Sequence, residues 1–566
     1  MTRITFQWNY PKHVPPAVDK ALGSFSAPFR SILYHRGCIS EEDSISLLLP
    51  PKPKYPDDLM LSHVLTAAGI IKDAVNHNHP IAVYGDYDTD GITATALLTL
   101  SLQKISSHVI PFIPHRLRDG YGLNIESIHA LYESGAKLLI TVDNGIRSED
   151  EIKYAKSLGL QVIITDHHTP SETLPDADAI VNPKIPGDPY PNKNLAGVGV
   201  AYKLVCELAE EFPEIVAHEY LDLVALGTIA DIVPLTGENR YLVKQGLSIL
   251  NLHPRQSLFS LINTAGLANK QISASDISFQ LSPRINSSGR LSGSGADHLA
   301  PLKLLLSENH EACGNLSQIL EIHNDRRKMI GRNMRERIVK GISSFASLPR
   351  ILISLDKEND QGVAGIAAGY LTNQYYLPAV VGQVGNEFTT ASCRSVPEFD
   401  MISSLETLCD LFTRFGGHKL AAGFTLPNQN IPEFHQRITS LAEKELGQLD
   451  LRPSIDIDAV VGLSDLSYTL YREVQKLEPT GEGNPKPIFL TENIMIEEWR
   501  KVGQDGSHLK FVASDGTTSI PAIAFNLADS ADILSQNVNI AYHLSENEFR
   551  GKKELQIQVI DIQPAF

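Results

Sequence analysis

At 566 residues, 42% of them hydrophobic and 20% charged, the chain is globular and long enough for several cores, and no run reaches the ~18 apolar residues that a membrane span requires. A net charge of -17 excludes a protein that coats polyanions with its whole surface, while leaving room for a local phosphate-binding patch. Five scattered cysteines, Cys38, Cys206, Cys313, Cys393 and Cys409, none in a CxxC pair, exclude a disulfide frame or zinc ribbon.

The stretch MTRITFQWNYPKHVPP has no unbroken apolar core, so a cytoplasmic enzyme is expected. Prolines are dense as far as LLLPPKPKYPDD, which predicts an irregular N-terminal extension over 1–58 with a boundary near Pro56. A helix over about 59–76 follows. From Ile81 the pattern alternates: strand 81–84, helix 91–104, strand 108–113, helix 124–133, strand 137–142, helix 148–157, strand 160–165. Asn124 and Ser148 are candidate N-caps, and Gly135 and Gly159 stand where left-handed C-terminal caps would sit. Strands separated by helices of about ten residues imply right-handed βαβ units and a parallel sheet. Helices then dominate from Gly199 to about Leu320.

His323 to Lys340 carries Arg326, Arg327, Lys328, Arg332, Arg335, Arg337 and Lys340 against only Asp325 and Glu336. That stretch reads either as a solvated helix face or as a basic linker helix beside a nucleic-acid channel. A second α/β region follows, with strands near 350–355, 379–382 and 387–391, and holds Ser392, Arg394 and the glycine-rich FGGHKLAAGF. From about Pro453, short β-rich stretches such as HLKFVASDG and IPAIAF predict a small antiparallel barrel of the oligonucleotide-binding type.

Chemistry concentrates where the buried runs end. Ile81–Tyr84 is followed by Asp86, Asp88 and Asp90; Leu138–Val142 by Asp143; Gln161–Ile164 by Thr165, Asp166, His167 and His168; and Leu223–Ala230 by Asp231. Loops leaving the carboxyl ends of neighbouring strands converge on one crevice. Phosphodiester hydrolysis needs a nucleophile made from water and a means of absorbing phosphoryl charge, and two divalent ions roughly 3.5 to 4 Å apart provide both. Carboxylates with one imidazole suit Mn²⁺ and admit Mg²⁺. Each residue also has a plainer reading: Asp90 as the N-cap of the following helix, Asp143 as a turn residue, Asp231 as a helix terminator ahead of Pro234, Asp166 as the orienter of a histidine, Gly416-Gly417 as a turn.

VYGDYDTDG, TVDNG, TDHH and ALGTIADIVPL resemble the successive motifs of the DHH phosphoesterase superfamily, and GGHKLAAG resembles its DHHA1 domain. With FIPHRLRDGYGLN, LSPRINSSGRL, CRS and LEPTGEGNPKPIF in order, the pattern resembles the RecJ family of single-strand-specific 5′ to 3′ exonucleases. That resemblance implies an α/β fold: an N-terminal extension over 1–58, a DHH domain with a parallel sheet over 59–320, a basic linker helix over 321–346, a DHHA1 α/β domain over 347–450 and an oligonucleotide-binding (OB) barrel over 451–566. It implies two ions, Mn²⁺ or Mg²⁺, held by Asp88, Asp90, Asp143, His167 and Asp231, with Asp143 bridging. His168 matches the residue that contacts the reacting phosphate, with Asp166 and Asp86 beside it.

Arg290, Ser392 and Arg394 resemble a pocket for a terminal 5′ phosphate; Gly416, Gly417, His418, Arg284 and Asn286 are further candidate substrate contacts. The family commonly reads Gly-Arg-Ser where this chain has Cys393-Arg394-Ser395, and shorter relatives carry a metal-binding histidine where this chain has Tyr84. The implied function is release of 5′ mononucleotides from single-stranded DNA in recombination and repair, alongside a single-stranded-DNA-binding protein and a helicase. A phosphodiesterase acting on short oligoribonucleotides or cyclic dinucleotides, and a non-catalytic replication scaffold, are the alternatives.

Overall fold

The computed structural model describes residues 5–565 apart from 117–119, 121, 292–295, 346, 504–505 and 550, so part of the FIPHRLRDGYGLN motif lies outside the described residues. The chain forms two units, Lys52–Leu451 and Met1–Pro51 with Arg452–Phe566.

The larger unit begins with a parallel sheet whose spatial order is Val109–Phe112, Ile81–Tyr84, Leu138–Val142, Gln161–Thr165, Ala179–Val181. Ile81–Tyr84 and Leu138–Val142 are buried throughout, which is why they read as unbroken apolar runs rather than alternating ones. Chain order reverses between these two neighbours: the crossover from the first goes to one side of the sheet, and later crossovers go to the other. A crevice opens at the carboxyl ends of strands where the order reverses. The loops carrying Asp86, Asp88, Asp90 and Asp143 leave the sheet at that place.

Helix Thr89–Leu102, buried along nearly its whole length, packs against Gly197–Glu211 and Leu221–Ala230. The expected helix over 59–76 is shorter, Val64–Asn76, because His63 takes a left-handed conformation (φ 59°) at its start. The basic segment is the C-terminal part of a longer helix, His310–Ile342. Beyond it lies a mixed sheet ordered Arg414–His418, Ala421–Pro427, Phe388–Arg394, Ala379–Val384, Leu352–Asp356, in which only the last pair is parallel.

In the smaller unit, Phe489–Val502, His508–Ser514, Ser519–Ala524, Lys552–Pro564 and Val538–Phe549 pair in that order, and the last pairs back to the first, closing a five-stranded barrel. The irregular extension expected over 1–58 is corrected here. Helices Pro16–Ala21, Ala27–His35 and Glu41–Leu48 form, and Phe29, Ile32 and Leu33 are buried in one core with the barrel residues Phe489 and Phe511. Pro16 and Pro28 fall in first helical turns, where the missing N–H has no intrahelical partner to lose. Strand Gln7–Asn9 pairs in parallel with Ser454–Asp456, and Trp8 Nε1 donates to Asp561 Oδ2 at 3.0 Å.

Candidate functional site

At the start of helix Thr89–Leu102 the N-cap is Asp88, not Asp90: Asp88 Oδ1 accepts from the amides of Asp90 (3.0 Å) and Gly91 (3.1 Å). Asp90 instead caps a different helix, accepting from the Gly197 amide at 2.6 Å and the Val198 amide at 2.9 Å. Helix Gly197–Glu211 thus aims its positive end at a carboxylate held inside the crevice. Asp143 sits at φ 62°, a left-handed conformation in which Asp is among the better tolerated non-glycine residues. Space around these groups is reserved by glycine. A Cβ at Gly197 would lie 2.5 Å from Asp143 Oδ1, one at Gly227 2.7 Å from Asp90 Oδ1, and one at Gly91 2.6 Å from Asp86 Cβ.

The aspartate of the Asp-His-His turn is a scaffold. Asp166 Oδ1 accepts from the amides of His167 (2.7 Å) and His168 (3.0 Å) and pairs with His168 Nδ1 at 2.7 Å, while Oδ2 accepts from the Ile146 amide at 3.0 Å. Burial works to raise its pKa, yet the His168 hydrogen bond and charge outweigh burial and hold the carboxyl at about 2. Burial likewise opposes a charged His168, and the bond to Asp166 overcomes it, so that imidazole is raised above its ordinary range. His167 goes the other way, down to about 3, through burial and then the neighbouring His168 charge.

The acidic groups and the two imidazoles converge. Ligand atoms of Asp86, Asp88 and Asp143 lie within 4.8 Å of one another, as do those of Asp90, His167 and Asp231, and those of Asp143, His167 and His168. His167 Nε2 stands 3.2 Å from Asp143 Oδ1 and 3.6 Å from Asp231 Oδ2. At neutral pH His167 is uncharged, so neither approach is an ion pair. Asp86 Oδ1, Asp143 Oδ1 and both ring nitrogens of His167 are buried without a hydrogen-bond partner.

Burial, with Asp88 next, pushes Asp90 up to about 7; burial, with Asp90 next, pushes Asp231 up to about 8, and Asp143 and Asp86 are raised in the same sense. Buried carboxylates that repel one another around orphaned donor atoms are a set that a cation would satisfy. The donors are hard oxygens and one neutral imidazole, which fits Mn²⁺ and accepts Mg²⁺. Tyr84 is not part of this set: its ring packs against Phe112, and its hydroxyl donates to the Gly122 carbonyl and accepts from Asn124.

Beside the acidic centre is a cationic one. Arg290, from a short turn at Ser288–Arg290, donates to the Gly362 carbonyl at 3.4 Å, and a Cβ at Gly362 would lie 1.9 Å from the Arg290 carbonyl oxygen. Gly362 lies in the first turn of helix Gln361–Tyr375. A Cβ at Gly365, one turn on, would lie 3.4 Å from Arg394 Nη2 and 3.5 Å from Ser392 Cβ. A third guanidinium was missed by the sequence reading: Arg116, stacked 4.7 Å over the Tyr87 ring. Its signal was available, since it follows the strand Val109–Phe112 at the same end of the sheet as the acidic loops. Burial, and then the Arg116 charge, pull Arg290 down to about 10; burial lowers Arg394 too, with Arg116 adding to it. Crowded guanidiniums at a helix N-terminus make an anion pocket.

Strand pairing extends that pocket. His418 pairs with Ala421 and Ala421 with Arg394; Gly416 pairs with Gly423 and Gly423 with Ser392. These residues therefore share one sheet face, and Cys393 points to the other, into the core. Gly416-Gly417 is accordingly not a turn but part of an exposed edge strand, with Gly417 at φ 144° where a Cβ would meet the Ala421 carbonyl at 2.5 Å. Arg284 does not offer its fork to a substrate. It is buried against Glu321, with Nη2 to Oε1 at 3.1 Å and Nη1 donating to the Gln280 carbonyl at 2.6 Å. Asn286, at the end of the short helix Ser282–Ile285, keeps a buried Oδ1 without a partner. Of the seven basic residues in the long helix, four are held by neighbours: Arg327 by Asn324, Lys328 by Asp325, Arg335 over Tyr370, and Arg337 by Asn359. The local charge excess is therefore partly structural: two of these contacts lie within the helix, and those of Arg335 and Arg337 fasten it to the second α/β region.

Residues 80–228 match the DHH family N-terminal domain, 348–444 the DHHA1 domain and 457–561 the RecJ OB domain. The chain is 36% identical to the single-stranded-DNA-specific exonuclease RecJ of Bacillus subtilis over 94% of its own length and 67% of that protein. It is 34% identical to the RecJ of Escherichia coli, covering 89% of this chain and 91% of the other. Among solved structures it is similar to RecJ of Thermus thermophilus in complex with Mn²⁺ (TM-score 0.85, 30% identity, 99% of this chain and 80% of that one). The Mg²⁺ complex of the same protein matches at TM-score 0.79 and 28% identity, covering 99% of this chain and 79% of the other.

Proposed function

The chain belongs to the RecJ family of single-stranded-DNA-specific exonucleases, and from that premise we propose that it releases 5′ mononucleotides from the 5′ end of single-stranded DNA during recombination and repair. It is a metal-dependent phosphodiesterase using Mn²⁺ or Mg²⁺. The observation that carries the reading is the set of three overlapping ligand groups at the strand-order reversal, two of which share Asp143.

In this reading Asp86, Asp88 and Asp143 hold one cation and Asp90, His167 and Asp231 the other. Bound divalent ions supply a reactive water and absorb charge on the phosphoryl oxygens. The chain's own residues do the rest. Asp166 fixes His168 through Nδ1 and favours its protonated form, and His168 donates to a phosphoryl oxygen as charge builds there. Arg116, Arg290, Arg394 and Ser392 grip the terminal 5′ phosphate, measuring where the strand begins. Residues 59–320 and 347–450 carry this chemistry, and the barrel within 451–566 binds bases with little sequence preference.

A single-stranded-DNA-binding protein and a helicase are its working partners in the cytoplasm; among the described residues no helix is long and apolar enough to cross a membrane. The closed barrel favours a polymeric substrate over a cyclic dinucleotide or short oligoribonucleotide, and a 50-mer should be degraded far better than a 3-mer. Digestion of end-labelled single strands of either polarity with Mn²⁺, Mg²⁺ or chelator tests the whole reading. Labelled mononucleotide should appear first from the 5′ end and not at all with chelator. Release from the 3′ end first would overturn the polarity.

A further inference from the structure

The parallel sheet sets out its strand ends in a row. Arg116 follows the edge strand Val109–Phe112, the acidic loops follow Ile81–Tyr84 and Leu138–Val142, the Asp-His-His turn follows Gln161–Thr165, and Lys184 follows the opposite edge strand Ala179–Val181. Neighbouring strands lie ~4.8 Å apart, so four gaps separate the edges by about 19 Å. A cation thus stands at either end of an acidic centre.

Lys184 is built into place. Thr165 pairs with Val181, which brings Asn182 beside the Asp-His-His turn. Buried Asn182 donates from Nδ2 to the His168 carbonyl at 2.9 Å, and its Oδ1 accepts the Lys184 amide at 2.8 Å. One amide side chain therefore couples the backbone of His168 to that of Lys184. The Lys184 ammonium lies close enough for its charge to act on both His167 and Asp231, yet no carboxylate comes within ion-pair distance of it among the described residues.

We propose that Lys184 binds the internucleotide phosphate one step to the 3′ side of the bond being cut. This rests on the exonuclease reading above: with the terminal phosphate gripped at the Arg116 edge and hydrolysis at the centre, the strand leaves across the Lys184 edge. Lys184 then holds the chain from the side opposite the terminal pocket and keeps the scissile phosphate from sliding off the centre. A compact ammonium on a flexible stem suits a phosphate that must advance after every turnover.

The test uses the full-length protein with Mn²⁺ and a 5′-phosphorylated single strand whose second internucleotide linkage is either native or an uncharged methylphosphonate. Release of the first nucleotide is measured. Lys184→Met should lower kcat/KM on the native strand by about 10-fold or more, the methylphosphonate should lower the wild type similarly, and the two changes together should cost no more than either alone. Lys184→Arg should retain most of the activity. In chelator, the slope of log binding constant against log salt should become shallower by about 0.7 in Lys184→Met.

Losses that multiply, or an unchanged kcat/KM in Lys184→Met, overturn the contact. So does loss of the Mn²⁺-induced rise in Tm in that variant, which would make Lys184 a support of the metal centre instead. A wild type that releases nothing from the native strand defeats the exonuclease reading itself and takes this contact with it.

Discussion

Side chains in the crevice range from those wholly engaged in holding the backbone, through Asp88 and Asp90, which cap helices and also face the centre, to those with a buried atom left unpartnered. Asp166 belongs to the first kind, with four hydrogen bonds arriving at its two oxygens, and Asp143 to the last, with a buried oxygen left over. Asp143→Ala should abolish hydrolysis while single-stranded DNA binding persists; retained turnover would dismiss the two-ion assignment. Asp166→Asn should keep the turn but lose the charge that favours protonated His168, lowering kcat by about 10- to 100-fold with KM little changed. Equal losses in binding and turnover would mean that Asp166 does no more than shape the loop.

How far such distinctions were legible in the sequence depends on their range. Acidic residues at the ends of buried apolar runs announced themselves, because parallel strands have both faces covered and their carboxyl ends meet. Asp88 and Asp90 could not be told apart as cap and clamp, since the helix capped by Asp90 begins 107 residues later. Arg284 and Arg290 were equally indistinguishable until Glu321, 37 residues on, claimed the former.

At the scale of elements, helix Gln361–Tyr375 and strand Phe388–Arg394 make the anion pocket by lying close, and glycine sets how close. Arg394→Ala should reduce the preference for 5′-phosphorylated over 5′-hydroxyl strands by about 10-fold or more, as expected for losing a charge-assisted hydrogen bond. An unchanged ratio of kcat/KM for the two ends would remove Arg394 from the pocket. Gly362→Ala should have a similar effect from outside the pocket, because its methyl group displaces the Arg290 backbone. Cys393, a departure from the family pattern, is harmless here. It faces the core with its thiol pushed up to about 12 by burial, and Arg394 on the other face is undisturbed.

For the molecule as a whole, the crowded carboxylates make stability depend on pH and metal together. Groups raised to about 7 (Asp90) and about 8 (Asp231) hold protons in the folded state that the unfolded chain has already released. Metal-free stability therefore falls as pH rises through that window. His167, lowered to about 3, acts in the opposite sense only between that value and its unfolded pKa of about 6.5, so the net fall is cleanest from about pH 6.5 to 8. Thermal denaturation of the chelator-treated protein should show Tm dropping across that interval, and Mn²⁺ should raise Tm more at pH 8 than at pH 6.5 because fewer protons must be displaced. A metal-induced rise that is flat with pH would contradict the burial of these acids.

Residues far apart in the sequence meet in the smaller unit: Trp8 and Asp561 share a hydrogen bond across 553 positions. On a ribosome adding roughly 5–20 residues per second, residues 1–51 emerge about 20 to 100 seconds before the strands that receive them. During synthesis those helices wait with Phe29 and Leu33 uncovered, a window in which a chaperone has something to hold. Maturation of the smaller unit thus waits until its barrel strands have been made, whereas residues 52–451 can complete their own core before then.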